Sequence, residues 1–308
     1  MRPRRSRGSL LTRRARAFER VLPRLTDGDV EGIHRARVAA RRLREALPVV
    51  AGSLPGARRL RRTLRRLGRM LGPVREMDVS LALVEELGHS DRFDRASLDR
   101  LREAIARDRD GAWDAARDRL AHLEPRALAR RLTALGAALR VREGAAAVLR
   151  PAAPDWMVVL RARVCRRAEQ ARVAIDEAGA LYLPDRIHLV RIAVKKLRYS
   201  VELAEEARGA RTPSVALRRL KETQDLLGRL HDLQVLTDRS RVLQAAMKPA
   251  RLTVWNELHI LQRALEDECR TLHGHYMARR DGLLQICEAV RDGRRVGRGV
   301  PGRSRAAG

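Results

Sequence analysis

One stretch of this 308-residue chain occurs twice, and that repetition restricts the fold more than any bulk property does. Residues 33–44 read Ile-His-Arg-Ala-Arg-Val-Ala-Ala-Arg-Arg-Leu-Arg, and residues 187–198 read Ile-His-Leu-Val-Arg-Ile-Ala-Val-Lys-Lys-Leu-Arg. At an offset of 154, His34 matches His188, Arg37 matches Arg191, Arg41 matches Lys195, Arg42 matches Lys196, and Arg44 matches Arg198. On an α-helix, His34, Arg37, Arg41 and Arg44 share a stripe about 80° wide. Ile33, Ala36, Ala40, Leu43 and Leu47 cluster opposite, as on the core-facing side of an amphipathic helix. The second copy divides the same way, with Ile187, Val190, Val194, Leu197 and Val201 as its apolar side. Two halves carrying the same cations in the same order point to one composite surface for one large anion.

Composition agrees with helices. Hydrophobic residues make up 44% of the chain but aromatics only 3%, so the core is built of Leu, Val and Ala, which favours packed helices over sheets. A net charge of +28 repels itself unless it meets a polyanion: nucleic acid, an anionic membrane or a phosphate polymer. With 62 Arg against 4 Lys, coding bias contributes to that total, and placement is more informative. Residues 33–75 hold thirteen Arg and one acid, Glu45, whereas residues 91–124 interleave eight Arg with nine Asp or Glu, as on an ordinary solvated helix.

Three cysteines, Cys165, Cys269 and Cys287, without a Cys-x-x-Cys argue against a disulfide framework or a zinc site and fit a reducing cytoplasm. The first 25 residues lack the apolar run of a signal peptide, and no run of 18 apolar residues reads as a membrane span.

Helical periodicity predicts helices near 9–24, 30–50, 55–71, 73–89, 92–121 and 126–141, then 155–180, 185–208, 213–227, 229–246, 250–272 and 275–291. Gly72-Pro73 reads as a stop followed by a start. Residues 142–154 read as the connection between halves, and 292–308 as a disordered basic tail. The repeat extends further: Leu71-Gly72-Pro73-Val74-Arg75-Glu76 matches Leu227-Gly228-Arg229-Leu230-His231-Asp232 at an offset of 156. On that register Arg62 matches Arg218 and Arg65 matches Lys221. A duplicated helical unit is the economical reading.

The helix His-x-x-Arg-x-x-x-Arg/Lys-Arg/Lys-Leu-Arg followed by Leu-Gly-x-x-Arg/His-Glu/Asp, present twice, resembles the CHAD family (conserved histidine α-helical domain) over about residues 9–291. The resemblance implies an all-α fold: two pseudo-symmetric four-helix bundles, about 9–141 and 155–291, forming one composite domain around a basic central surface. It implies inorganic polyphosphate as the partner. Some members associate with polyphosphate granules, and some are fused to or encoded beside CYTH triphosphatase domains. It implicates His34, Arg37, Arg41, Arg42 and Arg44, then His188, Arg191, Lys195, Lys196 and Arg198, and with them Arg62, Arg65, Arg75, Arg218, Lys221 and His231. Glu76 stands where the family more often has Asp, and the CYTH signature Glu-x-Glu-x-Lys is absent.

Bland readings stand beside these. Each cationic stripe alone reads as a solvated face. His34 and His188 read as neutral donors to phosphate or as structural histidines; Arg at i+3 disfavours a metal. His231-Asp232 lacks a nucleophile to serve, and Asp232, Glu76 and Asp78 read as orienting or capping acids. His273-Gly274-His275 reads as loop or helix-end polarity. Trp113, Trp156 and Trp255 read as packing residues; none lies in a basic motif, whereas single-strand binders stack bases on aromatics. The basic termini read as solubilising. No nucleophile, Gly-rich phosphate loop or Mg²⁺ carboxylate cluster stands out, so the residues favour a non-catalytic binder of a linear polyanion without metal or cofactor; the resemblance makes that ligand polyphosphate, with RNA or single-stranded nucleic acid as the alternative.

Overall fold

In a computed structural model, residues 5–89, 92–149, 156–210, 212–246 and 252–294 are described. They form helices and connections with no strand among them. The helices are α1 (Arg7–Glu19), α2 (Leu22–Thr26), α3 (Val30–Val50), α4 (Ala57–Gly88), α5 (Arg95–Leu123), α6 (Pro125–Leu149), α7 (Trp156–Ala178), α8 (Pro184–Ala207), α9 (Val215–Ala245) and α10 (Leu252–Asp292). The fold is all-α, as expected.

The predicted apolar faces of α3 and α8 are buried. Ile33, Ala36, Ala40, Leu43 and Leu47 are at most 1% exposed, and Ile187, Val190, Val194, Leu197 and Val201 at most 7%. Each fully buried Leu or Ile contributes about 1.5–3 kcal/mol, enough to fix which side of each helix faces inward.

Several predicted breaks do not occur. Residues 55–71 and 73–89 belong to one helix, α4, with Pro73 in its interior. A proline there removes one backbone donor and strains the preceding turn. Arg37 supplies a side-chain donor to that turn, its Nη1 lying 2.6 Å from the Gly68 carbonyl. The breaks expected near Gly228 and at residues 273–274 are likewise absent from α9 and α10. Leu227 and Leu230 are buried on either side of Gly228, and His273 and Tyr276 around Gly274. Core contact at these flanks outweighs a glycine cost of about 1 kcal/mol. His273-Gly274-His275 is therefore mid-helix, with the His273 ring 5.3 Å from Tyr182.

Conversely, the predicted helix 9–24 divides into α1 and α2, with Pro23 in the first turn of α2. The expected connection 142–154 is helical as far as Leu149; Glu143 there accepts from the Arg7 backbone N–H at 2.8 Å, capping α1. Residues 150–154 lie outside the described residues. Of the expected tail, Asp292 ends α10, and residues 295–308 lie outside the described residues.

Helix neighbours repeat between the halves. In the first, α1 packs on α3, α3 on α4 and α4 on α5; in the second, α7 packs on α8, α8 on α9 and α9 on α10. The halves differ in their outer layer. α5 and α6, separated at Glu124 with its positive φ of 50°, cover α4 and α1 respectively. The 41-residue α10 alone covers both α9 and α7. The larger core runs from Leu10 to Cys287 across both halves. A second joins Met77, Leu83 and Leu101 to Leu233, Leu258 and Leu261, again from both. The halves meet along α3 against α8 and α4 against α9.

Candidate functional site

The α3–α8 contact brings the two basic rows together. Lys195 is half-buried, with Arg191 beside it and Arg41 and Arg37 facing it from α3. Burial first, then these cations, push its amine down to about 7. Arg37 is pushed down to about 10 by burial and then by Arg41, Arg75 and Arg191, with Glu76 opposing. Arg191 is lowered by burial and by Arg41, with Asp232 opposing. Cations from three helices, α3, α4 and α8, thus face one half-buried cleft, to which α9 adds the carboxylate of Asp232.

The histidines line the same place. His188 and His231 approach with their Nδ1 atoms 3.4 Å apart, so one ring donates and the other accepts. Burial, then Arg191 and His188, push His231 down to about 4. Burial and then Arg191 lower His188. His34 is lowered by burial and then by Arg75, with Glu31 opposing. All three are neutral near pH 7 and offer ring N–H donors without added charge. Asp232 is raised by burial, against the pull of Arg191, Arg75 and Arg229. Exposed Glu76 accepts from Arg239 at 3.2 Å.

Glycines on α4 admit these side chains. A Cβ on Gly72 would lie 3.4 Å from Arg37 Nη1, and one on Gly68 3.6 Å from Arg44 Nη1. The guanidinium groups of α3 therefore rest against the α4 backbone.

The family model for the CHAD domain matches residues 9–241. This chain belongs to the CHAD family. Its fold is similar to the crystal structure of the CHAD domain from the plant Ricinus communis, with a TM-score of 0.56, 22% identity, and coverage of 95% of this chain and 93% of that one. It is also similar to PptA from Streptomyces chartreusis, with a TM-score of 0.60, 19% identity, and coverage of 88% and 97% respectively. No curated protein matches the chain.

Not every expected site residue of this CHAD chain faces the cleft freely. Arg42 pairs with Glu202 at 2.7 Å, and Arg198 contacts Glu202 at 3.3 Å and Gln224 at 2.7 Å while lying 4.3 Å over the Tyr199 ring. These two act as joints between α3, α8 and α9. Lys196 is exposed at the end of the cleft, near Arg167, Glu45 and Arg44. Arg62 and Arg65 are exposed on α4. Arg218 donates to the Pro213 carbonyl just before α9 at 2.7 Å, and Lys221 pairs with Asp225 on α9 at 3.0 Å, so both are engaged locally.

Residues outside the motifs hold the halves in place. Glu45 accepts from Arg163 at 2.6 Å and approaches Arg167 at 3.5 Å. Glu206 takes Arg14 at 2.8 Å and also pairs with Arg13. Each bridge joins α1 or α7 of one half to the basic helix of the other. One sequence signal pointed there: Glu45 is the lone acid among thirteen arginines. Arg13 and Arg167 also stand at the same offset of 154 as the motifs. Among the described residues, no group of three His, Cys, Asp or Glu side chains gathers as a cation site.

Proposed function

We propose that this protein binds inorganic polyphosphate in the cleft between α3 and α8, by charge and hydrogen bonding and without catalysis. The supporting observation is the meeting of the two rows. Arg37 and Arg41 stand against Arg191 and Lys195 in a half-buried space where Arg41 and Arg191 lower both Arg37 and Lys195. That repulsion is relieved by an anion that threads between them. Arg donates paired hydrogen bonds to phosphate oxygens, and neutral His34, His188 and His231 add donors. Family membership supplies the polymer; geometry and charge by themselves support a linear polyanion.

A stacking platform for bases is lacking in the described part of the cleft. Tyr199, the aromatic that borders the second motif, is 6% exposed. Nucleic acid therefore stands second, held through phosphate alone. The accompanying proposals are a cytoplasmic or granule-bound location and a separate CYTH-type triphosphatase as partner; no helix among the described residues is long and apolar enough to cross a membrane.

The test is a calorimetric titration with long-chain polyphosphate and with RNA of equal charge at about 150 mM salt, where the Debye length is about 8 Å. Tighter binding of polyphosphate is expected; equal affinities transfer the cleft to nucleic acid. Release of phosphate by the pure protein with Mg²⁺ or Mn²⁺ would overturn the non-catalytic reading.

A further inference from the structure

The two halves differ at the helices that flank the cleft. Between Arg58 and Arg69, the first three turns of α4 carry seven arginines. All seven are exposed, and among the described residues none of them has an ion-pair or side-chain hydrogen-bond partner. The seven matching positions at the offset of 156, the cap Ser214 and six residues of α9, hold two cations, Arg218 and Lys221, and two acids, Glu222 and Asp225. Net charge on these matched faces is therefore +7 against 2 − 2 = 0.

The helix starts differ in the same sense. α4 begins at Gly56, in the left-handed conformation with φ 83°, with no side-chain cap and no acid in its first turn. Its orphan N–H groups and the positive end of its dipole thus lie next to the arginines, an arrangement that repels itself unless an anion is present. α9 begins with Ser214 capping the Leu217 N–H at 3.1 Å, and Arg218 and Lys221 are already partnered.

Arg44 connects the arginine face to the cleft. It lies at the end of the α3 stripe and is held below its ordinary range by burial, then by Arg65, Arg41 and Arg61. Of these, Arg41 belongs to the cleft, and Arg65 and Arg61 to the arginine face of α4. A continuous cationic path thus runs from Lys195 past Arg41 and Arg44 onto α4, extending the site by about 20 Å at 1.5 Å per residue.

We propose that a polyphosphate chain too long for the cleft leaves it past Arg44 and continues along the outer face of α4, not along α9, so that the protein discriminates long chains from short ones. The inference rests on the polyphosphate reading of the cleft and adds a direction and a length dependence to it.

The experiment compares tripolyphosphate with long-chain polyphosphate on three forms of the full chain: the wild type, R58E/R66E/R69E on α4, and R126E/R130E/R131E on the exposed face of α6. The α4 variant is expected to lose about tenfold or more in long-chain affinity and about 2 from the log–log salt slope, in line with three lost phosphate contacts. Its affinity for tripolyphosphate should stay within about twofold of wild type, since short-range cleft contacts outlast screened distant charge. The α6 variant, with the same change in charge, should fall well short of that loss. E222R/D225R, which builds a second arginine face on α9, should raise long-chain affinity. An α4 variant no weaker than the α6 control, or one losing tripolyphosphate in parallel, overturns this inference and leaves the cleft standing. A wild type that binds neither probe overturns both.

Discussion

Lys195 shows how one residue couples this site to pH. Its amine is pushed down to about 7 by burial and by Arg191, Arg41 and Arg37. Above pH 7 the free site therefore holds fewer protons than an anion-filled one, and binding takes up a proton. Affinity for polyphosphate is expected to weaken from pH 7 to pH 9, by at most about tenfold per pH unit for one coupled proton. Calorimetry in buffers of differing ionisation enthalpy should register that uptake, and K195R should abolish it while retaining binding; identical heats in all buffers count against it. The sign for stability follows from the same shift. The unfolded lysine, near its ordinary 10.5, holds its proton up to higher pH than the folded one. The free protein should therefore gain stability as pH rises from about 7 towards 10, and carry the full penalty of this group below 7. A second residue-scale expectation separates cleft from tail. R37E/R191E should cost far more binding than R303E/R305E, and equal losses from the two would remove the case for a defined cleft.

At the scale of elements, helix continuity depends on what flanks each breaker. Gly228 and Gly274 are helical, have no positive φ, and leave open space where a Cβ would stand. G228A and G274A should each stabilise the protein by about 1 kcal/mol, read as a raised denaturation midpoint. The local signals at these positions read as breaks because glycine and proline dominate short-range preference. Leu227, Leu230 and Tyr276 meet the core through partners distant in sequence, so their weight appears only once the helices are packed. Inter-half joints behave similarly. Glu45 is one-tenth exposed between Arg163 and Arg167. E45A leaves those guanidinium groups half-buried without their carboxylate and should cost about 3 kcal/mol or more. A thermal midpoint unchanged from wild type would show that the joint contributes nothing.

For the whole molecule, net charge decides the response to anions. At +28, with cations crowded in the cleft and on α4, the native state is strained by its own field. Polyphosphate at about 100 times its Kd should raise apparent stability by about 2.7 kcal/mol through binding to the native state alone. A denaturation midpoint that ignores polyphosphate while responding to simple salt would indicate screening without a site.

Taken alone, the sequence determined the helical class, the inward and outward faces of α3 and α8, and the duplication that names Arg37, Arg41, Arg191 and Lys195 together. These follow from short-range periodicity and from the free energy of burying Leu, Ile and Val. Tertiary structure alone decided which cations share a space, that Arg42 and Arg198 are tied to Glu202, and that Glu45 and Glu206 lock the halves. Charge acts across distance, so its partners exist only after packing has set which helices lie side by side.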